Sequence, residues 1–158
     1  MYKINVSDRE YRDYVIVDCK GLKKAADITI NAPLHKLFTQ DIFTINSDKS
    51  VTIEHSSVRS MSTIPAVLVL EGNKMFGKYK NRFLYKCLPD DRRLPIFLVP
   101  YKIKNKFNKK LTNKYIIFEF REWINKHPLG VITQTLGDVS ELPSFYEYQL
   151  YCKSLHAS

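Results

Sequence analysis

Aromatic and basic side chains interleave between Phe76 and Lys86: Phe76, Lys78, Tyr79, Lys80, Arg82, Phe83, Tyr85 and Lys86. Rings at this spacing suit stacking on nucleobases, worth about 1–3 kcal/mol per base, while the cations follow a phosphate backbone. On an unbroken strand, period-two geometry sets Phe76, Lys78, Lys80 and Arg82 on one face and Tyr79, Phe83 and Tyr85 on the other. Gly77 is expected to bend that strand or open a bulge. The competing reading is plainer: the rings belong to the core and the lysines cover it.

The charge around this stretch is uneven. Between Lys74 and Lys114, 13 Lys or Arg stand against Asp90 and Asp91, and the remaining 12 bases face 14 acids. The whole excess behind the net charge of +9 therefore falls in one window, the footprint expected of a polyanionic partner. Arg92, Arg93, Lys104 and Lys106 join Lys78, Lys80 and Arg82 as candidate phosphate contacts, with Phe76 and Tyr79 as candidate stacking rings. Local pairing with Asp90 and Asp91 competes for the two arginines, but exposed pairs are weak, roughly 0–1 kcal/mol.

Other chemistry is not signalled. His35, His55, His127 and His156 are scattered, with no cysteine or second histidine at metal-ligand spacing. Phosphate loops, nucleophile elbows and the H-E-x-x-H zinc motif are missing. The only adjacent acids, Asp90 and Asp91, read as a turn, whereas a metal-dependent nuclease needs several gathered carboxylates. No catalytic residue, metal site or cofactor is predicted.

The elements that must carry these residues read almost entirely as strands. "YVIVD" (14–18), "DITINA" (27–32), "DIFTI" (41–45) and "SVTIEH" (50–55) are short and β-branched, with turn formers between them. "VRSMST" (58–63) reads as a joint. A second series follows at 64–71, 75–88, 94–101, 114–123, 129–137 and 146–155, with turns at Gly72-Asn73 and Pro89-Asp90-Asp91. Short helices are expected only at 32–38 and 108–113. Close-set strands of this kind predict a small closed barrel. The expectation is an all-β chain: a leader over 1–12, a smaller OB-like N-terminal domain over 13–60, and an OB-fold, cold-shock-like barrel over 61–158. The longest apolar runs are too short to cross a bilayer as helices, and no secretory signal opens the chain. Three widely spaced cysteines, Cys19, Cys87 and Cys152, fit reduced thiols in the cytoplasm or nucleus.

From about Ile64 onward the order of features resembles the second cold-shock-type domain of the ribonuclease II/R (RNB) exoribonucleases, especially the catalytic exosome nuclease of eukaryotes. The likeness rests on the turn Pro89, Asp90, Arg92 or Arg93, Leu94, Pro95. It continues through "LTNKYIIFEFREW" and "HPLGVITQTLGDV", with Pro128, Gly130, Leu136 and Gly137 in place and His127 where the family has tyrosine. Val131 and Gln134 stand where the family has histidine and arginine. Earlier, "HKLFTQDIF" is similar to a block of the first cold-shock-type domain, with Asp41 matching and Gln40 in place of the usual glycine. The resemblance implies single-stranded RNA binding that guides a 3′ end toward a nuclease domain, separate or downstream. It also implies that magnesium belongs to that domain, whose closely spaced aspartates do not occur here. Two rivals stand beside it: a protein-docking OB module, and a small nuclease with an unfamiliar site.

Overall fold

The structure, a computed structural model, describes residues 1–21, 24–25, 28–103 and 111–156, with side chains as far as Lys153. Two compact units result: Met1–Ser60 with Asp91–Pro95, and Met61–Asp90 with Ile96–Ser158.

The first unit is a four-stranded antiparallel sheet made of β1 (Tyr2–Val6), β2 (Tyr14–Asp18), β3 (Ile42–Ile45) and β4 (Val51–His55), in the order β2-β1-β3-β4. The residues expected as a leader thus begin with a central strand. Alternate residues Ile4 and Val6 turn inward and pack with Ile16, Leu37, Phe38 and Phe43. Asp8 closes the β1–β2 turn by accepting N–H bonds from Asp13, Arg12 and Glu10. These bonds, the one from Asp13 foremost, hold its carboxyl below the usual range. Beyond β4, a single helical turn α1 (Ser57–Ser60) occupies the expected joint.

The strand expected at 27–32 does not form among its described residues, 28–32. Its backbone is bonded elsewhere: the Tyr14 hydroxyl donates to the Ile30 carbonyl (2.7 Å) and accepts from the Ala32 N–H (3.4 Å). Pro33 then has no N–H to offer a ladder. Residues 32–38 run as turns rather than the expected helix, with Asn31 Oδ1 taking the Leu34 N–H. Half of the helix expected at 108–113 lies outside the described residues, and its described half, 111–113, is not helical.

The second unit comprises β5 (Ile64–Val69), β6 (Lys78–Tyr79), β7 (Arg82–Pro89), β8 (Phe97–Tyr101), β9 (Lys114–Glu122) and β10 (Leu129–Asp138), then α2 (Leu142–His156). The strand order is β5-β9-β10-β8-β7-β6, and β5 also pairs with β7, so five strands close on themselves. Every pairing is antiparallel except β8 with β10, which is parallel through Leu98 and Leu129. Ile64, Ala66, Leu68, Cys87, Phe97, Val99, Ile116 and Phe118 fill the barrel, with the Phe97 and Phe118 rings edge to face at 4.8 Å. Gly130 lets β10 pass this core: a Cβ there would lie 2.6 Å from Phe118 Cδ2.

The last expected strand, 146–155, is instead the body of α2. "YEYQLYC" alternates like a strand, but the residues that bury are Ser144, Tyr148 and Cys152, spaced by four. Pro143 in the first turn suits a helix start. Tyr148 stacks on Tyr115 of β9 at 4.3 Å, which seats the helix on the closed barrel.

Candidate nucleic-acid interface

The run expected as one strand from 75 to 88 is a hairpin. Lys80 and Asn81 have φ of 48° and 67°, so the chain reverses in two left-handed residues between β6 and β7. Such a type I′ turn matches the twist of the flanking strands, and asparagine tolerates it well. The consequence is a change of faces. Lys78 pairs with Phe83, and Tyr79 pairs with Arg82. Directly opposed residues point to the same side, so Tyr79 shares its face with Arg82, contrary to the unbroken-strand expectation. Just before β6, Phe76 and Gly77 together oppose Leu84 in a bulge, with bonds Phe76 N to Leu84 O and Leu84 N to Gly77 O, each 2.8 Å. Gly77 has φ 100° there, a conformation that glycine adopts without Cβ strain.

Cations crowd these rings. The Lys78 ammonium lies 4.7 Å from the Phe83 centroid, Lys80 lies 5.4 Å from Tyr79, and Lys74 and Lys86 lie 5.4 and 5.8 Å from Phe76. Phe83 remains 41% exposed, whereas Tyr85 turns into the barrel and is buried, so the core reading holds for Tyr85 and not for Phe83.

Across from the hairpin runs the turn between β9 and β10, residues 123–128. Trp123 donates its indole N–H to the Lys126 carbonyl (3.4 Å), and the Leu98 N–H donates to the Pro128 carbonyl (2.9 Å). A cavity of about 250 Å³ lies among the hairpin, the β7–β8 surface and this turn. Phe76, Lys78, Tyr79, Glu122, Lys126 and His127 are on its wall, over a floor that includes Leu84 and Leu98. Burial, then the charges of Lys126 and Lys86, lower the His127 pKa, against an opposing bond with the Ile96 backbone. The imidazole is therefore neutral near pH 7. A second cavity of about 250 Å³ is lined by Tyr79, Lys80, Arg82, Pro100, Arg121 and Val131. Tyr79 stands on both walls.

The structure thus gathers Phe76, Lys78, Tyr79, Lys80 and Arg82. Arg92 and Arg93 sit on the 91–95 turn, which belongs to the first unit. There Arg93 is held by Asp91 through two side-chain bonds, Nε–Oδ1 at 3.0 Å and Nη2–Oδ2 at 2.9 Å. The local pairing expected with the neighbouring acids forms at Arg93. Lys104 and Lys106 lie outside the described residues. Sequence reasoning missed Arg121, Glu122, Lys126 and His127, because the 123–128 turn reaches the hairpin only once strand order is known. Val131, standing for a histidine, forms part of a cavity wall, while Gln134 accepts from the Tyr151 hydroxyl at 3.0 Å.

Among the described residues no three His, Cys, Asp or Glu side chains gather as a group that could hold a metal ion. Nor is any helix among them long and apolar enough to cross a membrane.

A closed five-stranded barrel with one parallel pairing, between its third and fifth strands, defines an OB fold. Residues 84–146 match the family model of the Dis3-like cold-shock domain 2 (CSD2). This is consistent with the N-terminal cold-shock region of an RNB-family exoribonuclease. The match runs from β7 through the 123–128 turn into α2 and leaves out the 76–83 hairpin. No curated protein matches the chain.

Proposed function

We propose that the second unit binds single-stranded RNA across β7 and β8, between the 76–82 hairpin and the 123–128 turn, as the RNA-guiding part of an RNB-type exoribonuclease. OB barrels take oligonucleotides on their second and third strands, flanked by the first and fourth connections. In this barrel those strands are β7 and β8, and those connections are the hairpin and the turn. The observation that carries the reading is the convergence of Phe76, Tyr79, Lys78 and Lys126 on one cavity at that place.

In this reading Phe76 and Tyr79 stack on bases, and Lys78, Lys80, Arg82, Arg121 and Lys126 contact phosphates. Lys104 and Lys106 add charge to the same window of sequence. Phosphate contacts supply affinity without regard to sequence, which suits a domain that passes a moving strand to a nuclease elsewhere. The first unit is the companion cold-shock-type domain, and cysteines outside any disulfide, Cys87 and Cys152 among them, agree with a reducing cytoplasm or nucleus.

Labelled-RNA anisotropy tests this. Binding should favour a single strand over its duplex and weaken by orders of magnitude between roughly 50 and 200 mM salt. A second reading, protein docking, is favoured by Leu142, Tyr146 and Leu150, which leave an exposed apolar stripe along α2. Nucleic-acid binding that is absent even at the lower salt would decide for it.

A further inference from the structure

We propose that the cavity walled by Phe76, Tyr79, Glu122 and Lys126 reads one guanine base of the bound strand. This rests on the RNA reading of the same face and adds a base preference to it.

Size comes first. A cavity of about 150 Å³ accepts a benzene ring, so the 250 Å³ here has room for a fused two-ring base. Phe76 and Tyr79 supply the flat apolar walls on which a splayed base stacks.

Glu122 is the informative residue. It is the acid on a wall otherwise furnished with Lys78, Lys126, Asn125 and His127, on a face assigned to phosphates. Toward a phosphate it is repulsive. Among the described residues it forms no salt bridge. An ionised carboxylate only accepts hydrogen bonds, so it selects the base edge richest in donors. Uracil offers one N–H between two carbonyls, and adenine or cytosine one amine beside a ring acceptor. Guanine alone presents two adjacent donors, N1–H and N2–H, matching the two carboxylate oxygens. Its other edge presents O6 and N7, both acceptors that suit a lysine ammonium, and Lys126 lines the same cavity. Acid and base on one wall therefore fit guanine on both edges.

The test compares three labelled strands of about 12 nucleotides, within the site size of an OB fold: all uridine, one central guanosine, and one central inosine. The wild-type protein should bind the guanosine strand about tenfold tighter than the uridine strand, the discrimination of a good bidentate contact. Inosine lacks the 2-amino group and should fall most of the way back. Glu122→Gln should erase the guanosine advantage. The inosine arm uses the unaltered protein, so it stands even if that variant misfolds. Equal, salt-sensitive binding of all three strands would overturn the guanine pocket and leave the RNA reading intact. An advantage that survives Glu122→Gln, in a variant with the wild-type circular dichroism, would overturn the role of Glu122. No binding of any strand at low salt would overturn both.

Discussion

Tyr79 and Arg82 face each other across the first rung of the β6–β7 hairpin, so a ring and a guanidinium lie side by side on one surface. The two-residue reversal at Lys80 and Asn81 makes this pairing; on a straight strand the same residues would point to opposite sides. Stacking and charge are thereby separable by mutation. Tyr79→Ala should weaken single-stranded RNA binding by about 1–3 kcal/mol with little change in salt slope. Arg82→Ala should lower the slope by about 1 and affect all sequences alike. Titrations at several salt concentrations measure both, and a Tyr79→Ala slope loss equal to that of Arg82→Ala would contradict the division.

The turn itself carries a removable strain. Lys80 holds φ 48°, a region that costs most L-residues about 1–2 kcal/mol and asparagine less. Lys80→Asn should therefore raise stability by a few tenths to about 1 kcal/mol, and Asn81→Val should lower it by about 1–2 kcal/mol. Urea denaturation checks both signs.

In the first unit, Asp41 is fully buried and paired with Arg59 at 2.7 Å, while Arg59 also donates to the Lys36 carbonyl and lies over the Phe38 ring. Burial raises the Asp41 pKa against the bonds and charge around it, and its Oδ1 has no hydrogen-bond partner among the described residues. Arg59→Ala strands that carboxylate and should cost about 3–5 kcal/mol. Adding Asp41→Asn should recover part of the loss, because a neutral amide costs less to bury. Denaturation of the single and double variants measures the coupling, and strictly additive losses would contradict it.

His127 gives a pH signature. With its pKa lowered in the folded state, the unfolded chain takes up a proton first as the medium is acidified. Stability should therefore fall from about pH 6.5 down to the folded-state value and lose nothing further through this group below it. RNA phosphates nearby should raise the same pKa. An NMR titration of the imidazole with and without RNA measures both effects, and a free-state value at or above about 6.5 would contradict the assignment.

Much of this was legible in the residues, for identifiable reasons. β2, β3, β4, β5, β9 and β10 announce themselves as β-branched runs between turn formers, because a pleated, half-buried surface selects those side chains. The hairpin did not, since its reversal uses Lys80-Asn81 with no glycine. α2 hid behind the alternating "YEYQLYC", and only a closed barrel with no strand left to pair explains why that segment coils. The ring-and-cation half of the candidate site lay within one stretch of sequence. Its other half, Glu122, Lys126 and His127, joins that stretch only through the β8–β10 and β9–β10 pairings.

The most direct measurement is an amide chemical-shift titration of the whole chain with single-stranded RNA at low salt. The account predicts the largest shifts over Phe76–Arg82 and Glu122–Leu129, with little change along α2. Shifts concentrated on Leu142, Tyr146 and Leu150, with the hairpin silent, would contradict it.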